Sequence, residues 1–346
     1  MVIIPTVDAE GVHGRDPFKS MMLGVVDSGE VLGVERLAQV FSSLGIAATF
    51  FVDVYEHSLY GVNALRGVCE SLRGLNQDIQ LHTHPAWRDD VRDFPEVRSL
   101  KRERGYFPQT KDFMYKCTLD EQVSILRHGV ACLTEWCGVA PVAHRAGGYG
   151  VNENTIRALR EVGIPVDSSM LYGHPNCKVA WSRNRVVEQD GIVELPVTGF
   201  WREDVWTVGP LRWRRRPVFQ KTDLDACSLD QLLWFVKEGQ EAGLGVMNLF
   251  MHSYSLLKFD HSFSWFQPDL GDQRKLEQFV EIACGQMGVE FASVGTFWRK
   301  YRSSKERFEG TDVVPLRQRK RSAASWLLDR VGHSLVPKLT PTSGGA

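Results

Sequence analysis

The chain has 346 residues, with 41 Lys plus Arg against 42 Asp plus Glu and a net charge of −1. That length buries a sizeable core as one large α/β domain or two smaller ones, and the charge balance argues against wholesale nucleic-acid binding. The seven cysteines are scattered without a Cys-x-x-Cys pair. They fit a reducing compartment better than a disulfide framework.

The opening "MVIIPTVDAEG" enters a strand-like run at residue 2, without a basic stretch or an apolar segment long enough for a signal peptide. No window approaches the roughly 18 apolar residues of a membrane span, so a cytoplasmic location is expected. Short apolar runs at 2–8, 46–54, 78–84, 142–145, 164–167, 192–198, 246–252 and 289–294 read as buried strands. Helical patterns fall between them at 34–44, 62–73, 119–137, 152–162, 228–242 and 272–287. "VNENTIRALREVG" offers Asn152 or Asn154 as N-cap and Gly163 past the helix end. Strand and helix in alternation imply a mostly parallel sheet, open or closed into a barrel. Residues 85–118 and 199–222 break the alternation and read as long loops or insertions. From about residue 302 the composition turns basic, then small and polar, so the expected division is a barrel over 1–301 and a tail over 302–346.

The polar residues gather at strand ends. "DIQLHTHPAW" closes an apolar run on His82 and His84, which share a face because side chains two apart on a strand point the same way. "TVDAEG" does the same with Asp8 and Glu10. Strand-end carboxylates are often loop caps, and a histidine pair is often one buried and one solvated ring. Here, however, Arg145 in "HRAGGYG", Asp167 in "DSSM" and His252 in "NLFMHSYS" occupy the same topological position. In a barrel all strand C-termini lie on one rim, so these side chains converge. A carboxylate and two imidazoles form a donor set suited to zinc or a similar divalent ion, with a second carboxylate left as a base.

The order "TVDAEG … GIAATFFV … LHTH … HRAGGY … DSSM … LFMH" resembles the NodB-type polysaccharide deacetylases, carbohydrate esterase family 4, over about residues 2–300. The likeness is strongest to the intracellular branch linked to surface-polysaccharide synthesis. It implies a distorted, incomplete (β/α) barrel that removes N-acetyl groups with a divalent metal, zinc first among the candidates. Carried over by position, Asp8 matches the base that activates water and Glu10 stands where a metal carboxylate is expected. His82 matches the first metal histidine, Arg145 the arginine that holds the base, Asp167 the aspartate that tunes the acid, and His252 the acid itself. Gly148 and Tyr149 are the implied substrate contacts. Three departures stand out: Ala9 separates the two carboxylates, position 86 is alanine so that His84 replaces the usual second histidine, and the arginine motif has an extra residue before Tyr149.

The expected substrate is therefore an N-acetylated sugar or glycan, nucleotide- or lipid-linked. Hydrolysis of a small cyclic amide or imide, and a catalytically silent carbohydrate-binding barrel, are the competing readings. His13, His144 and His174 read as loop or strand-flanking residues. "LRWRRRPVF" reads as a solvated loop, or as an arm for a phosphate-bearing carrier. In the tail, "RQRKRSAASWLLDRVGHSLVPK" places Ala324, Leu328, Val331 and Leu335 on one helical face behind a basic run. That stripe is short, and docking on the barrel or a tail without order is the first reading of it; the other is weak peripheral contact with an anionic membrane.

Overall fold

The computed structural model describes residues 1–11, 31–85, 112–208, 211–214, 216–259 and 266–322. The chain divides into two compact units, the first comprising residues 1–199 and 221–313, the second 200–220 and 314–346.

The first unit is built on one curled, mostly parallel sheet with the strand order β11-β1-β2-β3-β4-β5-β7-β6. These strands are β1 (Val2–Ala9), β2 (Thr49–Asp53), β3 (Asp78–Thr83), β4 (Ala143–Ala146), β5 (Val166–Asp167), β6 (Val187–Gln189), β7 (Ile192–Glu194) and β11 (Val246–His252). A further short strand, β14 (Glu290–Phe291), pairs with the start of β1. Among the described residues, six helices of ten residues or more lie between the strands: α1 (Gly33–Ser43), α2 (Val62–Gly74), α3 (Leu119–Cys137), α4 (Glu153–Val162), α5 (Leu229–Glu241) and α6 (Leu270–Gly285). The sheet's end strands do not pair with each other on this path, so the barrel is distorted and incomplete, as expected.

Local chemistry explains where these elements start and stop. Capping boxes at Thr118 with Glu121, Asn152 with Thr155, and Ser228 with Gln231 open α3, α4 and α5. Gly138 (φ 72°) and Gly163 (φ 79°) close α3 and α4 in the left-handed conformation that glycine adopts without a Cβ clash. β1 is buried along its whole length, as a strand flanked in a parallel sheet must be.

Register is the fold's main contribution to the site. Asp8 on β1 lies opposite His252 on β11. Asp53, His82 and Arg145 line up across β2, β3 and β4. His144, Asp167 and Glu194 form a second line across β4, β5 and β7. His144 is also paired with Leu81, and a Cβ placed on Gly129 of α3 would lie 2.7 Å from Leu81 Cδ1. This second line therefore belongs to the face that packs against helices, and side-chain alternation puts Arg145 on the other.

Beyond residue 301, at the end of helix α7 (Val294–Tyr301), the first unit continues. Phe308 is fully buried, edge-on to Phe297, and Thr311 N–H donates to Gly243 O. The second unit carries a separate sheet in which β8 (Gly199–Val208) lies between β10 (Val218–Lys221) and β15 (Leu316–Ser322), with β9 (Leu211–Arg214) also paired to β8. Residues 199–222, expected as a long loop or an insertion, thus contribute three strands. The basic run of the tail is a fourth, whereas the stripe from Ala324 to Leu335 lies outside the described residues.

Candidate active site

Asp8 lies at the penultimate position of β1, and its Oδ1 accepts a 2.7 Å hydrogen bond from Arg145 Nη1. The guanidinium is fully buried, and each of its nitrogens has a partner. Nη1 also donates to Thr6 Oγ1 (3.0 Å), Nε to Ser168 O (3.0 Å) and Nη2 to Ser168 Oγ (2.8 Å), while the Phe51 ring covers its face at 4.2 Å. A buried charge is tolerable only with this kind of complete pairing. The arginine holds the Asp8 carboxylate in place from inside the barrel.

Two residues on, Glu10 Oε2 lies 3.2 Å from His82 Nε2 and 2.8 Å from His84 Nε2. All three residues are buried, and their donor atoms fall within 4.8 Å of one another. His84 Nδ1 stands 3.1 Å from Asp112 Oδ1, a carboxylate placed to orient the ring. Burial alone would push the His84 imidazole down; Asp112 and Glu10 outweigh it and hold it well above its usual value. Gly147 supports the same ring from below, because a Cβ there would meet His84 Cε1 at 2.1 Å. The glycine pair after Arg145 thus admits a histidine ring.

More acid surrounds this group than the sequence suggested. Asp53 and Glu56 are fully buried, and Asp53 Oδ2, Glu56 Oε2 and His82 Nδ1 have no hydrogen-bond partner. Burial pushes Asp53 up to about 6 and Glu56 well above its normal range. Glu56 Oε1 accepts from Gly11 N–H at 2.7 Å, which ties it to the segment carrying Glu10. Orphaned buried polar atoms beside one carboxylate and two converging imidazoles fit a divalent cation held by Glu10, His82 and His84.

His252 borders the opposite side. Its ring stacks on Tyr254 at 4.7 Å and meets Phe250 edge-on at 4.9 Å, while the next residue, Ser253, donates from its backbone N–H to Asp8 O at 3.0 Å. Burial and then the Lys221 ammonium push its imidazole down to about 4.

The structure corrects the role expected of Asp167. Its Oδ1 is 3.1 Å from His144 Nδ1 and accepts from Ser169 Oγ at 2.6 Å, and it lies in the helix-facing register line rather than beside His252. His144 in turn contacts Thr83 Oγ1 at 2.9 Å, so the histidine set aside as strand-flanking is an enclosed part of the barrel wall. Tyr149, at φ 61°, has its hydroxyl 2.9 Å from Lys221 Nζ and its ring 4.7 Å from His174. Gly148 is exposed, and its carbonyl accepts from Asn176. Lys221 was missed: its Nζ also pairs with Asp223 at 2.9 Å and lies 3.5 Å from the Phe250 ring centroid. The signal was the lysine itself, at the end of a segment read as a loop.

The open α/β barrel thus carries a buried carboxylate–histidine–histidine group and an arginine-held aspartate at its strand C-termini. Comparison with known proteins specifies the fold. No family model matches the chain, and no curated protein matches it. Among solved structures, a Mycobacterium smegmatis protein described as a polysaccharide deacetylase aligns over 91% of this chain and 94% of its own, with a TM-score of 0.52 and 17% identity. A Pseudomonas aeruginosa PAO1 protein described in the same terms aligns over 89% and 92%, at 0.48 and 14%. A family 4 carbohydrate esterase from Streptomyces lividans, in complex with acetate, aligns over 91% and 97%, at 0.43 and 11%. The chain has the NodB-type fold of the polysaccharide deacetylases.

Proposed function

We propose that this protein is a metal-dependent N-deacetylase acting on an N-acetylated amino sugar or glycan intermediate of surface-polysaccharide biosynthesis, nucleotide- or lipid-linked. One observation carries the reading: the Asp8–Arg145 pair stands beside Glu10, His82 and His84 and directly across the register from His252. The donor set favours zinc. Glu10, His82 and His84 would hold the cation, which when bound would polarise an acetyl carbonyl and lower the pKa of a water.

The chain's own residues supply the rest. Asp8, oriented by Arg145, takes the proton from the attacking water. His252 delivers a proton to the departing amine. Its imidazole rests low, so it starts neutral and takes up that proton during turnover, the one Asp8 removed from the water, as negative charge builds on the amide oxygen. Asp8 and His252 are neighbours on adjacent strands, which keeps both proton transfers within one site. Tyr149 and Lys221 form the wall beside them, where a sugar and its anionic carrier can be held.

The test is acetate release from N-acetylated amino sugars presented free, nucleotide-linked and lipid-linked. Equal amounts of acetate and free amine are expected, with loss on chelation and recovery on adding Zn2+. Ring opening of cyclic imides without acetate release would overturn the substrate class. Ligand binding without any turnover would make the barrel a silent one.

A further inference from the structure

A second cluster of metal-binding side chains shares no residue with the first. His128 and Cys132 sit four residues apart on α3, the spacing that brings side chains together on one helix face. Cys132 Sγ is 3.5 Å from His128 Nε2. His57, the first residue of the single-turn helix His57–Tyr60, faces them from another segment. One ligand atom from each of the three falls within 4.8 Å of the other two. The rings of Tyr55 and Trp136 flank the group, with Tyr55 5.5 Å from His128 and Trp136 6.4 Å from His57. An aromatic cluster explains the rings' packing but not the convergence of two imidazole nitrogens and a thiol.

We propose that His57, His128 and Cys132 bind a second divalent transition-metal ion, with zinc the natural occupant. Two imidazole nitrogens and a sulfur select a borderline-soft ion and disfavour Mg2+ and Ca2+. His128 is exposed, so solvent completes the tetrahedron. Binding involves no electron transfer: the Cys132 thiol proton passes to solvent as the sulfur–metal bond forms. The ion is a clasp. Tyr55 OH already donates to Ile125 O of α3 at 2.7 Å, and the neighbouring Glu56 accepts from Gly11 N–H next to Glu10. Metal at His57 would fix this same turn against α3.

The experiment titrates the full chain, stripped by chelation, with Co2+ and with Zn2+. Wild type is expected to saturate at two equivalents, and the cobalt form to show a near-ultraviolet thiolate-to-metal charge-transfer band. His128→Ala and Cys132→Ser, checked for folding by circular dichroism, are expected to saturate at one equivalent and lose that band. A chain carrying both His82→Ala and His84→Ala is expected to keep the band and one equivalent, which separates this site from the rim centre. No band in cobalt-loaded wild type, or a band that survives Cys132→Ser, overturns the proposal.

Discussion

Gly147 shows how tightly single residues set the candidate centre. The His84 ring occupies the space a side chain would take, with His84 Nε2 2.3 Å from the position of a Cβ. Gly147→Ala is therefore expected to displace the ring and weaken metal binding at Glu10, His82 and His84 by about 10- to 100-fold, the usual cost of disturbing a ligand's support. Calorimetric titration with Zn2+ checks this, and unchanged affinity would show that the ring can shift without loss. Arg145 acts at the same scale. Arg145→Lys keeps the charge but cannot reach Asp8, Thr6 and both Ser168 oxygens together. A loss of about 100-fold or more in kcat is expected, in the range a positioned base contributes. Near-normal kcat with a normal KM would show that the guanidinium geometry is dispensable.

Between elements, parallel register places acids side by side on the helix-facing side of the sheet. Asp167 on β5 and Glu194 on β7 are direct partners, both buried. Burial, then the Asp167 charge, pushes the Glu194 carboxyl well above its usual value, while Met170 N–H donates to its Oε1. An acid that binds its proton more tightly when folded makes stability fall as pH rises from its unfolded value of about 4.3 until the folded value is passed. The slope is about 1.4 kcal/mol per pH unit for one proton. Glu194→Gln keeps a neutral, hydrogen-bonding side chain and should flatten that decline by one proton's worth. Urea denaturation between acidic and neutral pH, wild type against variant, measures it; identical slopes would show that Glu194 is ionised in the fold.

At the scale of the whole molecule, the chain end is divided between the two units. The first unit uses Phe308, Thr311 and Val313, the last accepting from Asn184 Nδ2 at 2.7 Å. A chain ending at residue 301 is expected to lose at least about 3 kcal/mol, the cost of removing one buried phenylalanine. Chemical denaturation compares it with a chain ending at 313, which should lie closer to wild type. Among the described residues no helix is long and apolar enough to cross a membrane. The apolar stripe past Ser322 is still proposed to give weak, salt-sensitive binding to anionic lipid, worth about 1 kcal/mol per juxtamembrane cation. Co-sedimentation with anionic vesicles, full chain against a chain ending at 322, tests this; equal, negligible binding rejects it.

Local pattern determined much of this protein. Each of the eight expected strands and six expected helices corresponds to an observed element, because apolar periodicity, caps and glycine stops act over a few residues. Placement of Asp8, Glu10, His82, Arg145 and His252 at strand ends was legible for the same reason. Partnership was not. Whether Asp167 meets His252 or His144 depends on which residue of β4 lies opposite it, and a shift of one position reverses the face. Asp112, Asp53 and Lys221 reach the rim through pairings between segments distant in the chain, and the strands of 199–222 form by pairing with one another and with residues beyond 314. Such contacts are fixed by long-range register and burial, which only the tertiary structure decides, whereas the identity and spacing of the chemical groups are written in the sequence itself.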